Sequence, residues 1–179
     1  RLFDRRFELF QRSDYRIAGS RLRSVPLIDL FLRIVLHVLD RLESVTKPTL
    51  AQVHGAAAGG GCAIALACDL CVATPASTFG IPIARTLGNC LSAASYSRLL
   101  DLMGPGTVKD LLFTGRLVNA VDAQTLGLVQ RLASPEEIDR VVRDLATEIA
   151  ANAPLTLRAT KEMLRRLASK RRLAAGEDA

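Results

Sequence analysis

The chain has 179 residues, a length that favours one domain and lets a compact fold bury roughly 70% of the surface its unfolded chain exposes. Apolar residues make up 49% and charged residues 23%, near globular averages, which excludes a disordered, collagenous or low-complexity chain. The formal charge of +6 sits on the flanks: seven arginines against three acids in 1–23, and seven cations against Glu162 in 158–172, leave the middle close to neutral.

Residues 26–44 are expected to form the first helix. Leu27, Leu30, Phe31, Ile34, Val38, Leu42 and Val45 recur at helical spacing, with Asp29, Arg33, His37 and Asp40 on the wet face. His37 therefore reads as a surface histidine. Lys47-Pro48 stops the helix, since the residue before a proline avoids the α region. Residues 49–53 are β-prone, 55–61 form a glycine-rich turn, 62–67 a buried helix of small side chains, and 70–73 a strand.

Residues 78–92 read as irregular, broken by Gly80, Pro82 and Gly88. Two helices, 93–103 and 107–113, are separated by Gly104-Pro105-Gly106, and Asn119 can cap a short helix at 120–126. A strand is expected at 128–132. Ser134-Pro135-Glu136-Glu137 is a capping box with proline at the first helical position, opening a helix to about Ala151. Pro154 starts a last amphipathic helix whose stripe is Leu157, Thr160, Met163, Leu164 and Leu167. Strands alternating with helices argue for an α/β domain.

Cys62, Cys68, Cys71 and Cys90 are too few and too clustered for a disulfide framework. Cys68-Asp69-Leu70-Cys71 matches C-x-x-C, but a zinc site needs a second ligand pair and the histidines, His37 and His54, are isolated. Buried cysteines acting as small hydrophobes are expected. No metal site is expected. No secretory signal is legible at Arg1. Residues 48–68 carry no formal charge, yet Gln52, His54 and the Gly-Ala run make them a poor spanning helix. The reading is a cytoplasmic protein with no membrane partner.

The unusual element is a strand, a glycine-rich turn and a helix: Thr49-Leu-Ala-Gln-Val-His54-Gly55-Ala-Ala-Ala-Gly59-Gly60-Gly61-Cys62. Glycines at a helix start expose backbone N–H groups without side-chain obstruction. Those N–H groups lack partners inside the helix, and the helix dipole favours negative charge there. Such a terminus can hold a phosphate or stabilise an oxyanion. A P-loop fails, because Gly61 and Cys62 stand where Lys and Ser/Thr belong, and no register supplies Gly-x-Gly-x-x-Gly. The oxyanion reading stands beside a plainer one, in which the glycines only allow close packing.

Lys47-Pro48 through the glycine triplet to Cys68-Asp69 resembles the signature of the enoyl-CoA hydratase/isomerase (crotonase) superfamily. The likeness continues through Phe79-Gly80-Ile81-Pro82, Leu112-Phe113-Thr114-Gly115-Arg116, Ala123-Gln124-Thr125-Leu126-Gly127-Leu128-Val129 and Ala153-Pro154-Leu155. The resemblance implies a right-handed spiral of ββα units with C-terminal helices, and assembly as a homotrimer or hexamer. It implies acyl-CoA thioester substrates, with coenzyme A entering as part of the substrate and no separate cofactor. It also implies a core at 1–152 lacking its N-terminal strands, and the start of a truncated C-terminal helical region at 153–179.

By the same resemblance two backbone N–H donors stabilise a thioester enolate. Gly60 takes the place of one. Phe7 takes the other, although Arg5-Arg6 stands where Ala-Gly is expected. Gly59, Gly61, Pro82, Arg85, Asn89 and Ser92 are the substrate-binding candidates. Hydratases carry one Glu two residues after the triplet and another after Phe-Gly-x-Pro; here these positions are Ala63 and Ile83. An acid–base pair contributes typically about 10²–10⁴-fold per group, and neither residue can supply it. Classical hydratase activity is therefore expected to be weak or absent.

Arg85 can bind an anionic acyl group, and Asn89 or Ser92 can orient a water or a carbonyl; the plainer reading gives Arg85 a surface or subunit-interface ion pair and Asn89 a turn. Asp69 reads as structural, His54 as bonded to backbone, and Cys90 has no visible activating partner. Two further classes stay open: a non-catalytic acyl-CoA-binding or oligomer scaffold, and RNA binding through the basic last helix. Nucleic acid is disfavoured: aromatics are 4%, and a solvated cationic face with Leu164 and Leu167 docked inward fits the pattern.

Overall fold

A computed structural model describes residues 25–86, 91 and 93–169, with side chains from Ile34 onward apart from Ala94. Strand β1 (Leu50–Val53), strand β2 (Ala56–Ala58) and helix α2 (Gly60–Ala67) make one strand-strand-helix turn. Strand β3 (Leu70–Ala73), strand β4 (Thr78–Gly80) and helix α3 (Ile83–Thr86) make the next. β3 lies parallel beside β1, with Leu50 opposite Leu70, and β4 lies parallel beside β2, with Ala56 opposite Thr78. Each turn of the spiral thus advances by one strand spacing, about 4.8 Å.

Strand β5 (Val118–Asn119) pairs antiparallel with β4, and strand β6 (Arg131–Leu132) pairs parallel with β3. The two three-stranded sheets therefore run β1-β3-β6 and β2-β4-β5. Helix α1 (Val25–Glu43) precedes them; α4 (Ala93–Thr114), α5 (Ala120–Thr125), α6 (Ile138–Ala150) and α7 (Pro154–Ser169) follow. Two compact units divide the chain at Arg33/Ile34, and both sheets lie in the second.

The core explains the composition. Cys71, Val72 and Ala73 of β3 are all buried, as a parallel strand covered on both faces requires. Cys62 and Ala65 of α2 pack with Phe79, Val118, Ala120 and Val129 in the larger cluster. Small residues on α2 let the helix lie close to the strands. A second cluster joins Val72 to Ala133, Ile138 and Leu145, seating α6 on β3.

Several elements differ from the sequence expectation. The turn at 55–61 holds strand β2, and the irregular stretch 78–92 contains β4 and α3; both strands are three residues long, below what periodicity can register. The strand expected at 128–132 shrinks to β6 because Leu128 N–H turns back to Ala123 O at 2.8 Å. The capping box does not open α6. Ser134 O instead accepts Glu137 and Ile138 N–H at 3.0 and 2.9 Å, a separate turn before the helix begins at Ile138.

The α1 stripe is also shifted, since Ile34 and Val38 are exposed while Leu39 is buried at 1%. On α7, Met163, Leu164 and Leu167 are exposed, so they do not dock inward as their spacing suggested. Leu157 is half-buried, and Lys161 reaches Asp69 Oδ2 at 2.6 Å. The cap at Asn119 is as read: its Oδ1 accepts Asp122 N–H at 2.8 Å. The break between the two parts of α4 falls at Gly104, with φ 72° and ψ 166°.

Candidate active site at the glycine turn

Gly59 is the N-cap of α2, with φ 57° and ψ −119°, a backbone shape only glycine adopts without strain. Its N–H donates to Gly80 O at 2.9 Å, and its carbonyl accepts Ala63 N–H at 3.0 Å, the first bond of the helix. Gly60 and Gly61 are the first two helical residues, so their N–H groups have no partner inside α2. A Cβ built on either would meet nothing within 4 Å. The helix start therefore presents two N–H groups without helical partners on residues that carry no side chain.

Gly80 fixes this geometry from behind. A Cβ there would come within 2.7 Å of Leu117 Cδ2 and 2.9 Å of Arg116 O, so only glycine lets β4 run beside the chain that forms β5. The sequence flagged Gly80 as a strand breaker; its packing role was visible only in the Phe-Gly-x-Pro block. Ala63 is half-buried on α2, and Ile83 packs against the main core. Neither candidate acid position carries a carboxylate.

Pro82 starts the turn into α3, its carbonyl accepting Arg85 N–H at 3.0 Å, Thr86 N–H at 3.1 Å and Thr86 Oγ1 at 2.9 Å. Arg85 is exposed, and its stem lies over Gly115: a Cβ on Gly115 would come within 2.6 Å of Arg85 Cγ and Cδ. Gly115, at φ 60°, ends α4 by donating its N–H to Leu111 O at 2.9 Å, a left-handed C-terminal cap. No described carboxylate of this chain pairs with the Arg85 guanidinium, which leaves the subunit-interface form of its ion pair untested. Phe7, Asn89, Cys90 and Ser92 lie outside the described residues.

The remaining polar groups are structural. His54 does not bond to backbone as read; its Nε2 lies 2.9 Å from Gln52 Nε2, which also donates to Asp139 Oδ1 at 2.6 Å. His54 Nε2 must then accept, placing its proton on Nδ1. Burial pushes the Cys62 thiol up to about 12 and the Cys71 thiol up to about 11, so both are inert small hydrophobes at neutral pH. Burial also raises Cys68. Among the described residues no cluster of His, Cys, Asp or Glu could hold a metal ion. No helix among them is long and apolar enough to cross a membrane.

The family model described as enoyl-CoA hydratase/isomerase matches residues 29–179. The chain belongs to the enoyl-CoA hydratase/isomerase family. It is 36% identical over 129 residues to the short-chain-enoyl-CoA hydratase of Clostridium acetobutylicum, covering 72% of this chain and 49% of that one. Among solved structures, it resembles an enoyl-CoA hydratase subunit I from Geobacillus kaustophilus, with TM-score 0.74, 34% identity, and coverage of 91% of this chain and 58% of that one. It also resembles a methylmalonyl-CoA decarboxylase in complex with 2-nitronate-propionyl-CoA, with TM-score 0.75, 26% identity, and coverage of 80% and 55%.

The chain spans about half the length of the curated relatives it matches. Its solved neighbours are enzymes of the enoyl-CoA hydratase/isomerase family and carry the crotonase fold, so the spiral expected from the resemblance is the one found. This chain carries the glycine triplet at 59–61, with Ala at 63 and Ile at 83.

Proposed function

We propose that the chain binds acyl-CoA thioesters, with the thioester oxygen accepting the Gly60 N–H. One observation carries this reading. The Gly59–Gly80 hydrogen bond of 2.9 Å pins the start of α2 while leaving open space beside Gly60 and Gly61. A donor held this way needs no reorganisation when charge develops on the thioester oxygen, which is how backbone N–H groups lower the cost of an enolate. Phe7 N–H completes the pair in this reading, and Gly59, Gly61, Pro82, Arg85, Asn89 and Ser92 line the substrate. Coenzyme A arrives as part of the substrate, and no separate cofactor takes part.

The matched relatives named short-chain-enoyl-CoA hydratase and methylmalonyl-CoA decarboxylase support an acyl-CoA substrate. Exposed Phe113, Leu117 and Val121, at 79%, 42% and 57% of full exposure, support self-association as a trimer or hexamer. The reading includes a cytoplasmic setting. Water addition across an enoyl double bond needs a group to activate water and one to protonate the α-carbon. With Ala63 and Ile83 in place, hydration of crotonyl-CoA, followed by loss of its ultraviolet absorbance, is expected to be slow or undetectable. Turnover at rates ordinary for an active hydratase would contradict this part of the reading.

The same two residues favour a second reading, a non-catalytic acyl-CoA-binding scaffold. A screen of acyl-CoA hydration, isomerisation and hydrolysis separates the two: turnover of any substrate that scales with enzyme concentration supports the enzyme, and binding without turnover supports the scaffold.

A further inference from the structure

We propose that Arg85 selects acyl-CoA thioesters whose acyl group carries a second carboxylate. The inference rests on the acyl-CoA reading above and narrows its substrate class. It begins from the way Arg85 is held. The backbone is fixed by its N–H bond to Pro82 O, and the stem is laid over Gly115, the residue whose lack of a Cβ makes room for Cγ and Cδ. Flexible cationic side chains lose rotamer freedom when they grip an anion. Here contact of the stem with Gly115 takes part of that loss before any ligand arrives.

The head of the side chain is a different matter. Arg85 is exposed, and no described carboxylate pairs with its guanidinium. Asp110, on the last part of α4 before Gly115, is engaged instead by Arg116, whose Nε and Nη2 donate to its Oδ2 at 2.8 and 2.5 Å. A planar guanidinium is suited to bidentate capture of a carboxylate.

Position connects this cation to the glycine turn. Gly80, which accepts the Gly59 N–H, precedes Arg85 by five residues. Turn bonds from Ile83 N–H to Ile81 O at 2.9 Å and from Arg85 N–H to Pro82 O shorten that path below the extended limit of roughly 3.5 Å per residue. The same segment, Gly115 to Leu117, flanks both Gly80 and Arg85.

Charge at the site agrees with this. A carboxylate at position 63 or 83 would repel an anionic acyl group, and Ala63 and Ile83 remove that repulsion. Like charges near one another in a partly desolvated cleft are costly, so neutral residues at 63 and 83 beside a cation that no described carboxylate pairs shift preference toward an anionic acyl chain.

Calorimetric titration with glutaryl-CoA, valeryl-CoA and free CoA tests the proposal, because the two thioesters have five-carbon acyl groups that differ in the terminal carboxylate. Glutaryl-CoA is expected to bind about tenfold more tightly than valeryl-CoA at low salt, with the ratio falling as salt rises. Arg85→Gln should bring the ratio to within about twofold of one, and Arg85→Lys should restore part of it, with thermal melting confirming that each variant is folded. Equal or tighter binding of valeryl-CoA, or a ratio that survives Arg85→Gln, would overturn the proposal while leaving the acyl-CoA reading standing. If neither thioester binds better than free CoA, the acyl-CoA reading falls and this inference falls with it.

Discussion

Lys161, in the middle of α7, reaches Asp69, the residue before β3, with Nζ 2.6 Å from Oδ2. The lysine is 11% exposed and the carboxylate side chain 33%. The same Oδ2 accepts Thr49 N–H at 2.6 Å and Thr49 Oγ1 at 2.8 Å, while Lys161 also donates to Lys47 O at 3.0 Å. One carboxylate oxygen therefore joins the last helix to the start of the first spiral turn.

Replacing Lys161 by Met should destabilise the chain by about 1–2 kcal/mol, between the values of exposed and buried charged hydrogen bonds. Asp69→Ala should cost more, because it also strips two bonds from Thr49. Urea melts of the two variants check the order, and a larger loss for Lys161→Met would contradict it.

Arg98 on α4 is 7% exposed and donates to Glu43 through Nε and to Asp40 through Nη2, the latter at 2.9 Å, leaving Nη1 buried without a partner among the described residues. Glu43 and Asp40 raise its pKa against the opposing effect of burial. Removing a partner from a buried charge pair costs about 3–5 kcal/mol. Arg98→Met should fall near the lower end, since Asp40 is 62% exposed and can rehydrate. Adding Glu43→Gln to that variant should recover part of the loss. A double-mutant cycle showing no coupling would count against this.

Two glycines should respond unequally to alanine. At Gly80 the new Cβ would meet backbone, Arg116 O at 2.9 Å and Leu117 Cα at 3.3 Å, which cannot give way. At Gly115 it would meet the flexible Arg85 stem, so the main cost is the positive φ of 60°, about 1 kcal/mol. Gly80→Ala is expected to lower the melting temperature by more than Gly115→Ala, and the reverse order would refute the packing described for β4.

Glu162 supplies the acid-side pH dependence of α7. Hydrogen bonds from Arg165 and Arg166 hold its carboxyl down to about 2, against an ordinary value of 4.5. A carboxyl depressed in the folded chain contributes stability that is complete above its unfolded value and lost as pH falls through its folded one. The contribution of this cluster should therefore fade between about pH 4.5 and 2. A carboxyl-resolved NMR titration of Glu162 with a midpoint near 4.5 would show the cluster absent.

The elements legible in the sequence were those whose signal is long or chemically marked. α1 is long and periodic, α7 begins at Pro154, the Asn119 cap is local, and the glycine triplet precedes a run of small apolar residues. β2 and β4 were hidden because each is only three residues long and is held by partners distant in the chain, β2 by β4 and β4 also by β5. The exposed stripe of α7 misled, because periodicity shows which residues share a face and not which face is covered. At the site, Gly59 and Gly60 could be read from the triplet. The Arg85–Gly115 contact could not, since it joins residues thirty positions apart in the chain.

Gly60 offers the most direct test of the account. It is the first helical residue of α2, its side-chain space is open, and the first helical position is where proline is best tolerated because its missing N–H has no helical partner. Gly60→Pro therefore removes the proposed oxyanion donor with little other change, which circular dichroism and melting can verify. Crotonyl-CoA should bind the unaltered chain more tightly than free CoA, and Gly60→Pro should lose about tenfold of that preference, the equivalent of one hydrogen bond to a polarised oxygen. A folded Gly60→Pro variant that keeps the full preference for the thioester would contradict the central claim.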